Sequence, residues 1–407
     1  MKENKKYKEP IIDNQTAEES LIAYQRSLFV PQTAVYKRHN EKKKEIQINI
    51  ISLFSGCGGL DLGFEQVGNY KTIWANDFKP EACETFRNHF GNIILEGDIE
   101  QVNPYTDISI PKCDLILGGF PCQDFSIIWK RPGLNGERGN LYKSFLRFVD
   151  AKKPKAFVAE NVKGLLTANK KKAIKQIIED FQNIEPGYVV IPHLYNFAEY
   201  GVPEFRERVL IVGIRSDLGF DFKHPKPTHG IKDGLLPYVT VGEAFKDVEN
   251  VEHNNEHLRV TDRTKTIISL IPEGGNFTAI PKDSPYYVKG MISHVYRRVH
   301  LGEPSKTIIA AGGGGTWGYH YPENRPLTNR ERARIQSFPD DFIFYGSTTE
   351  VRRQIGNAVP PVGVHELAKA LKPLFFGNYK KVNLKKRLEE YKLMPFEQRY
   401  KLITQQL

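Results

Sequence analysis

Residues 47–64, "QINIISLFSGCGGLDLGF", set the apolar run Ile48, Ile50, Ile51 and Leu53 directly against a cluster of glycines. Apolar side chains at adjacent as well as alternate positions mark a strand buried on both faces, as in a sheet covered by helices on either side. Glycines at the strand's end let the backbone turn sharply and let another group approach it closely. The same punctuation recurs along the chain in "YKTIWAND" (70–77), "NIILEGD" (92–98), "CDLILGG" (113–119), "KAFVAEN" (155–161) and "RVLIVGI" (208–214). Helical patterns such as "FKPEACETFRNHF" (78–90) and "KKAIKQIIEDFQNI" (171–184) lie between them. Strands alternating with helices predict an α/β fold, Rossmann-like, with an open and mostly parallel sheet.

Outside this repeating unit the texture changes. Residues 1–46 form a lysine-rich N-terminal extension too short for a core of its own, with one short amphipathic pattern around 16–29. The α/β pattern occupies 47–222, and 223–326 is rich in Gly and Pro with short β-branched runs, which predicts a smaller, loop-rich second domain. Helix signals return over 327–375, where the chain is expected to re-enter the first domain, and 376–407 reads as a charged helical tail.

The chain has 407 residues, 40% of them hydrophobic, and a net charge of +10. A basic excess suits a polyanionic partner such as nucleic acid, although residues 223–326 are nearly balanced in charge and do not carry the excess. No stretch approaches the roughly 20 apolar residues of a membrane span. No apolar segment follows the first lysines to form a secretion signal, so a cytoplasmic protein is expected. Cys57, Cys83, Cys113 and Cys122 contain no C-x-x-C pair, and no metal site is expected.

The glycine loop, with Gly56 and Gly58, is followed by Asp77 at the end of the second strand and Asp98 after the third. A nicotinamide fingerprint would need glycine where Asp61 stands. An acid at each of two strand ends suits a nucleoside without a pyrophosphate, with Asp77 on the ribose and Asp98 on a base amino group. S-adenosylmethionine fits that description.

"GGFPCQDFS" (118–126) places Cys122 in a loop beyond the fourth strand. A zinc deaminase would need a second cysteine after Pro121-Cys122, which is absent. A structural cysteine would be buried among apolar groups, whereas Gln123, Asp124 and Ser126 surround this one. A nucleophile remains, and it needs an acid partner. Glu160 ends the next strand, where burying a charge is costly without a role, and Arg206 and Arg208 alternate on a later extended segment. Two such guanidinium groups suit an anion or a carboxylate held in place, and they equally suit an ion pair with Glu204 or Glu207.

The ordered blocks F-S-G-C-G-G (54–59), G-F-P-C-Q (119–123), E-N-V (160–162), R-x-R (206–208), "RPLTNRERARIQSFPDDF" (325–342) and "QIGNAVPP" (354–361) resemble the bacterial DNA (cytosine-5) methyltransferases of type II restriction-modification systems. The resemblance covers about 49–215 and 325–375. It implies an S-adenosylmethionine-dependent methyltransferase domain, with 223–326 as target-recognition domain and the helix after "QIGNAVPP" packed against the first strand. It gives Cys122 the role of nucleophile on C6 of a flipped-out cytosine, and Glu160 that of proton donor at N3. Arg208 and Arg206 would hold the glutamate and the base. Phe54, Gly56, Gly58, Asp77, Phe78, Asp98, Ile99, Pro121, Leu141 and Asn357 match positions lining the cofactor. Double-stranded DNA is the implied substrate and a restriction endonuclease the functional partner, for a monomer with no membrane association.

Two departures from the family pattern stand out. Glu204 occupies a position where the family usually carries glutamine, and Ile127, Ile128 and Trp129 replace small or polar residues in the loop after Cys122. Ser126, Ile128 and Trp129 are expected to contact DNA near the opened base pair. In the recognition region Arg297 and the neighbouring Arg298, Thr307, Gly313 and Trp317 are the candidate contacts, with His320 close by. The same motifs also occur in a tRNA-methylating branch of the family, and a catalytically silent DNA-binding regulator is the third reading. The full-length variable region favours DNA over tRNA, and intact Cys122, Glu160 and Arg208 argue against a silent protein.

Overall fold

The structure is a computed structural model that describes residues 46–120, 141–287, 295–310 and 318–404. Its centre is a seven-stranded sheet made of β1 (Ile48–Leu53), β2 (Tyr70–Asp77), β3 (Ile94–Glu96), β4 (Leu115–Gly118), β5 (Ala156–Val162), β6 (Tyr188–Asn196) and β8 (Glu207–Arg215), in the order β3-β2-β1-β4-β5-β8-β6. The pairings from β3 through β5 are parallel, while β8 runs antiparallel to both β5 and β6.

The opening strand is buried on both faces. Ile48 and Ile50 point into one core with Leu115, Leu117 and Val158, whereas Ile51 and Leu53 point into the other with Ile116, Phe157 and Ala159. Successive side chains on a strand face opposite ways, so each apolar run feeds two cores at once. On the first face lie α1 (Gly59–Gln66) and α9 (His365–Phe376), and Tyr70 donates its hydroxyl to the carbonyl of Ala368 in α9 at 2.7 Å. On the second lie α3 (Leu141–Lys152) and α4 (Lys172–Gln182), packed through Phe145, Phe148, Ile174, Ile177 and Phe181. A third cluster joins α2 (Pro80–Phe90) to α7 (Asn329–Ile335) and α8 (Thr348–Asn357). Thr328 and Glu331 form a reciprocal capping box that starts α7.

Between β8 and α7 the chain makes short elements: α5 (Val241–Ala244), α6 (Asp262–Ser269) and the two-residue strand β9 (Ser305–Lys306). Two small apolar clusters hold it, one around Val241, Val299 and Ile308, the other around Ile267, Ile271 and Ile280. Strand β9 pairs in parallel with β7 (Glu204–Phe205), which immediately precedes β8.

The tail departs from a purely charged reading. Its helices α10 (Leu384–Leu393) and α11 (Phe396–Thr404) grip the edge strand β6 from both sides. Leu384, Leu388 and Tyr391 enter the first core, and Phe396 and Tyr400 pack on the second. Arg399 is buried, donating to Gln182 Oε1 and to Glu179 in α4, both at 3.1 Å. Among the described residues no helix is long and apolar enough to cross a membrane.

Beneath the glycine loop, Asp61 of α1 is fully buried and accepts from the hydroxyls of Ser52 (3.0 Å) and Thr72 (3.2 Å). Burial pushes its carboxyl up to about 7. A raised acid is favoured in its protonated form on folding, so its contribution is complete below the ordinary Asp range and is lost as pH rises towards 7. The shift corresponds to about 4 kcal/mol of stability. Asp61→Asn should remove this component, so that the difference between urea midpoints at pH 4 and at pH 7 shrinks relative to wild type. An unchanged difference would refute the assignment.

Candidate active site

The parallel strands β1, β2, β4 and β5 present their C-terminal ends at one rim. The strand order reverses direction at β1/β4, the crevice where open α/β sheets place their ligands. Asp77 at the end of β2 accepts from the backbone N–H of Gly56 (2.8 Å) and of Lys79 (2.9 Å), which ties the glycine loop to the second strand. Each carboxylate oxygen keeps a further lone pair for a ligand hydroxyl. The neighbouring Phe78 ring is 61% exposed, with Lys79 Nζ 4.8 Å from its centroid, and is accessible to a flat group.

The loop glycines differ in purpose. Gly56 has φ +55° and open space where a side chain would stand, as a ligand-facing position requires. Gly58, at φ +91°, would drive a Cβ to 2.4 Å from the Phe90 ring, so packing against α2 demands glycine there. Phe54 also adopts positive φ, at 55°. Asp98 is exposed beside this rim but spends Oδ1 as the cap of the short helix 99–101, accepting from Glu100 N–H at 2.9 Å. Ile99 turns its side chain into the second core at 3% exposure, so it cannot line the crevice with that side chain. Leu141 opens α3 half-buried, and Asn357 is exposed at the end of α8. A Cβ on Gly59 would strike Val359 O at 2.4 Å, which shows how closely the segment after Asn357 lies on the glycine loop. These acceptors and the exposed ring fit a nucleoside, with ribose hydroxyls on Asp77 and a flat base near Phe78.

Glu160 lies on β5, paired with Leu210 of β8, and Arg208 sits two positions away on the same face. Arg208 Nε donates to Glu160 Oε1 at 3.0 Å, both side chains being largely shielded. Glu160 Oε2 would be 3.0 Å from a Cβ at Gly119, three residues ahead of Cys122. Its immediate neighbour Asn161, 2% exposed, donates to the carbonyl of Phe120 at 2.9 Å. Sequence reasoning noticed Asn161 but gave it no task; its task is to fix the backbone entering the cysteine loop. Burial pushes the Glu160 carboxyl above its usual range, and Arg208 and then Arg206 pull against that rise without cancelling it. Cys122 itself, with Pro121, Ser126, Ile127, Ile128, Trp129, Gly313 and Trp317, lies outside the described residues.

The expectation that Arg206 and Arg208 share the crevice needs correction. Arg206 falls at the break between β7 and β8, and its guanidinium, 1% exposed, turns inward. It donates to the carbonyls of Ile308 (2.9 Å), Gly356 (2.7 Å) and Ala358 (3.1 Å). Arg298 is likewise consumed, 4% exposed and bonded to carbonyls of His320, Ile268, Ile271, Pro322 and Glu323. It holds loops together and has no donor left for DNA. His320 is buried too, stacked on Phe245. Arg297 instead lines a cleft with His300, Lys306, Thr307, Ile309 and Arg332. Thr307 is exposed there, although its hydroxyl donates to Phe205 O at 2.8 Å.

Residues 48–373 match the sequence model of the C-5 cytosine-specific DNA methylases. The chain belongs to that family. It is 69% identical over 352 residues to the type II methyltransferase M.NgoFVII of Neisseria gonorrhoeae, covering 86% of this chain and 93% of the relative. To the type II methyltransferase M.BbvI of Brevibacillus brevis it is 40% identical, covering 79% and 90%. In fold, this cytosine-5 methylase is similar to a crystal structure described as a prophage-encoded DNA modification methyltransferase from Escherichia coli. That match has a TM-score of 0.64 at 22% identity, covering 81% of this chain and 100% of that one. Membership explains why one rim gathers a nucleoside-like site, an acid and an arginine.

Proposed function

We propose that this methylase transfers a methyl group from S-adenosylmethionine to C5 of one cytosine within a specific duplex sequence, with Cys122, Glu160 and Arg208 as its catalytic residues. The observation that carries the reading is the Glu160–Arg208 pair, seated against Gly119 just ahead of Cys122. A stacked cytosine hides C6, so the base is flipped out of the duplex before reaction. Cys122, as thiolate, attacks C6, and Glu160 delivers a proton to N3, so that negative charge does not accumulate on the ring. The raised carboxyl of Glu160 suits a proton donor. Arg208 orients that carboxyl and the base edge. S-adenosylmethionine, when bound, supplies an electrophilic methyl group, and Asp77, Phe78 and the Gly56 backbone are the residues that would hold its nucleoside. C5 takes up the methyl group as the sulfur–methyl bond breaks and S-adenosylhomocysteine departs; water accepts the C5 proton, Cys122 leaves as thiolate, and the N3 proton returns to Glu160.

Residues 223–326 would choose the sequence through the cleft lined by Arg297, Lys306 and Thr307. The protein acts as a cytoplasmic monomer whose methylation guards host DNA against a cognate restriction endonuclease. Bisulfite sequencing of DNA from cells expressing the chain should reveal 5-methylcytosine at one recurring sequence. Unmodified DNA together with newly methylated tRNA would overturn the reading.

A further inference from the structure

Ile308 lies on the segment 305–310 that borders the recognition cleft, and both of its backbone groups are held by side chains two residues apart elsewhere in the chain. Its N–H donates to Glu204 Oε1, and its carbonyl accepts from Arg206 Nη1 at 2.9 Å. The adjoining residues are tied to the same stretch: Ser305 N–H to Pro203 O at 2.9 Å, Thr307 Oγ1 to Phe205 O at 2.8 Å, and β9 to β7. The second arm of Arg206, Nη2, reaches Gly356 O and Ala358 O on either side of Asn357. Gly356 completes the contact from the other side, since a Cβ there would stand 2.4 Å from Ala310 N and 2.5 Å from the carbonyl carbon of Ile309.

The chemistry of this clamp is unusual for packing alone. Glu204 and Arg206 face each other at 3.7 Å with side-chain exposures of 0% and 1%. Among the described residues Glu204 Oε2 and Arg206 Nε find no hydrogen-bond partner. A buried ion pair with unsatisfied atoms stabilises a fold poorly, and well-packed apolar residues commonly serve as well or better. Glutamine, the usual family residue at 204, would also accept from Ile308, so the carboxylate adds a counter-charge for Arg206. Two residues beyond Arg206, Arg208 holds Glu160.

We propose that Glu204 and Arg206 are positioning residues that hold the recognition segment 305–310 in one fixed place relative to Glu160–Arg208 and to residues 356–358. The inference rests on the role given above to Glu160 and Arg208. The clamp makes the distance from recognised bases to the reacting cytosine a property of one guanidinium and its counter-charge. Misplacement by about 1 Å costs on the order of 100-fold in rate, so loosening the clamp should be felt in kcat before it is felt in binding.

The test compares wild type, Glu204→Ala and Gly356→Ala for methyl transfer to DNA carrying the target sequence. The affinity of Glu204→Ala for S-adenosylhomocysteine and its melting temperature are measured alongside. In Glu204→Ala the Ile308 N–H loses its acceptor and Arg206 its counter-charge, and in Gly356→Ala the added methyl forces the two backbones apart. Both should lower kcat by about 10- to 100-fold, with KM for DNA much less affected and with cofactor-product affinity of Glu204→Ala close to wild type. Should Glu204→Ala not fold, the double variant Glu204→Gln/Arg206→Gln removes both charges together and should show the same loss. Folded variants with wild-type kcat would overturn the inference alone. A loss of kcat matched by equal losses of S-adenosylhomocysteine binding and thermal stability would reduce the pair to a structural role and also overturn it. A wild-type chain that transfers no methyl group would overturn the functional reading itself.

Discussion

Glu160→Gln is expected to lower kcat by roughly 100- to 10,000-fold, the range lost when a positioned proton donor is removed. Glutamine keeps the length of the side chain and an oxygen for Arg208 Nε, which now sits at 3.0 Å from Glu160 Oε1. What it loses is the transferable proton. Because the pair retains 17% and 14% side-chain exposure, water screens part of the lost charge interaction, and stability should fall by only about 1 kcal/mol. The variant therefore separates chemistry from folding. A pH series sharpens the distinction. Burial raises the Glu160 carboxyl, so its protonated form persists further upward in pH than an ordinary glutamic acid. The part of the rate that depends on the protonated acid is complete below that raised value and declines as pH passes above it. Wild type should show this declining limb in single-turnover methyl transfer, and Glu160→Gln should lack it. A variant retaining more than a tenth of wild-type kcat would remove Glu160 from the proton-donor role.

Glu160 was legible because a carboxylate near the end of an apolar strand has few inexpensive explanations, although β5 continues to Val162, and the same logic picked out Asp77. Burial of β1 on both faces was legible because Ile48, Ile50, Ile51 and Leu53 leave no polar face to expose. Arg206 was misread for a definite reason. Alternation along a strand places residues 206 and 208 on one face only if the strand is continuous, and here β7 ends at Phe205 while β8 begins at Glu207. The break rotates Arg206 into the interior. Arg298 shows a second limit, since a guanidinium that gathers five backbone carbonyls and one that reads a base are the same letter in a sequence. The antiparallel end of the sheet, β5-β8-β6, carries the same apolar pattern as the parallel strands, so strand direction could not be read from it. Glu204 was noticeable as a departure from a family pattern and as an ion-pair partner for Arg206, which it is. Its partner Ile308 lies 104 residues away, beyond any local signal.

Ending the chain after Asn378 is expected to prevent accumulation of soluble, folded protein, an outcome opposite to what a dispensable charged tail would give. Of the residues removed, Leu384, Leu388 and Tyr391 are 2%, 4% and 5% exposed within the first core. Burying three such side chains is worth roughly 5 to 9 kcal/mol, comparable with the whole stability of a typical domain, about 5 to 15 kcal/mol. The loss extends to the other face, where Phe396 and Tyr400 pack and Arg399 bonds to Gln182 and Glu179. Strand β6, already an edge, would lose cover on both faces, α4 alone remaining over the second, and become a template for pairing with another chain. Pro192 removes one N–H from β6, but alternate residues of the nine-residue strand still direct backbone groups away from β8. Tyr391→Ala, a single truncation at the same surface, should lower the urea midpoint without changing kcat measured on the folded fraction. Full-length and shortened chains compared by size-exclusion chromatography and urea unfolding decide the matter. A shortened chain that elutes as a monomer with the full-length midpoint would show that α10 and α11 lie on the sheet without supporting it.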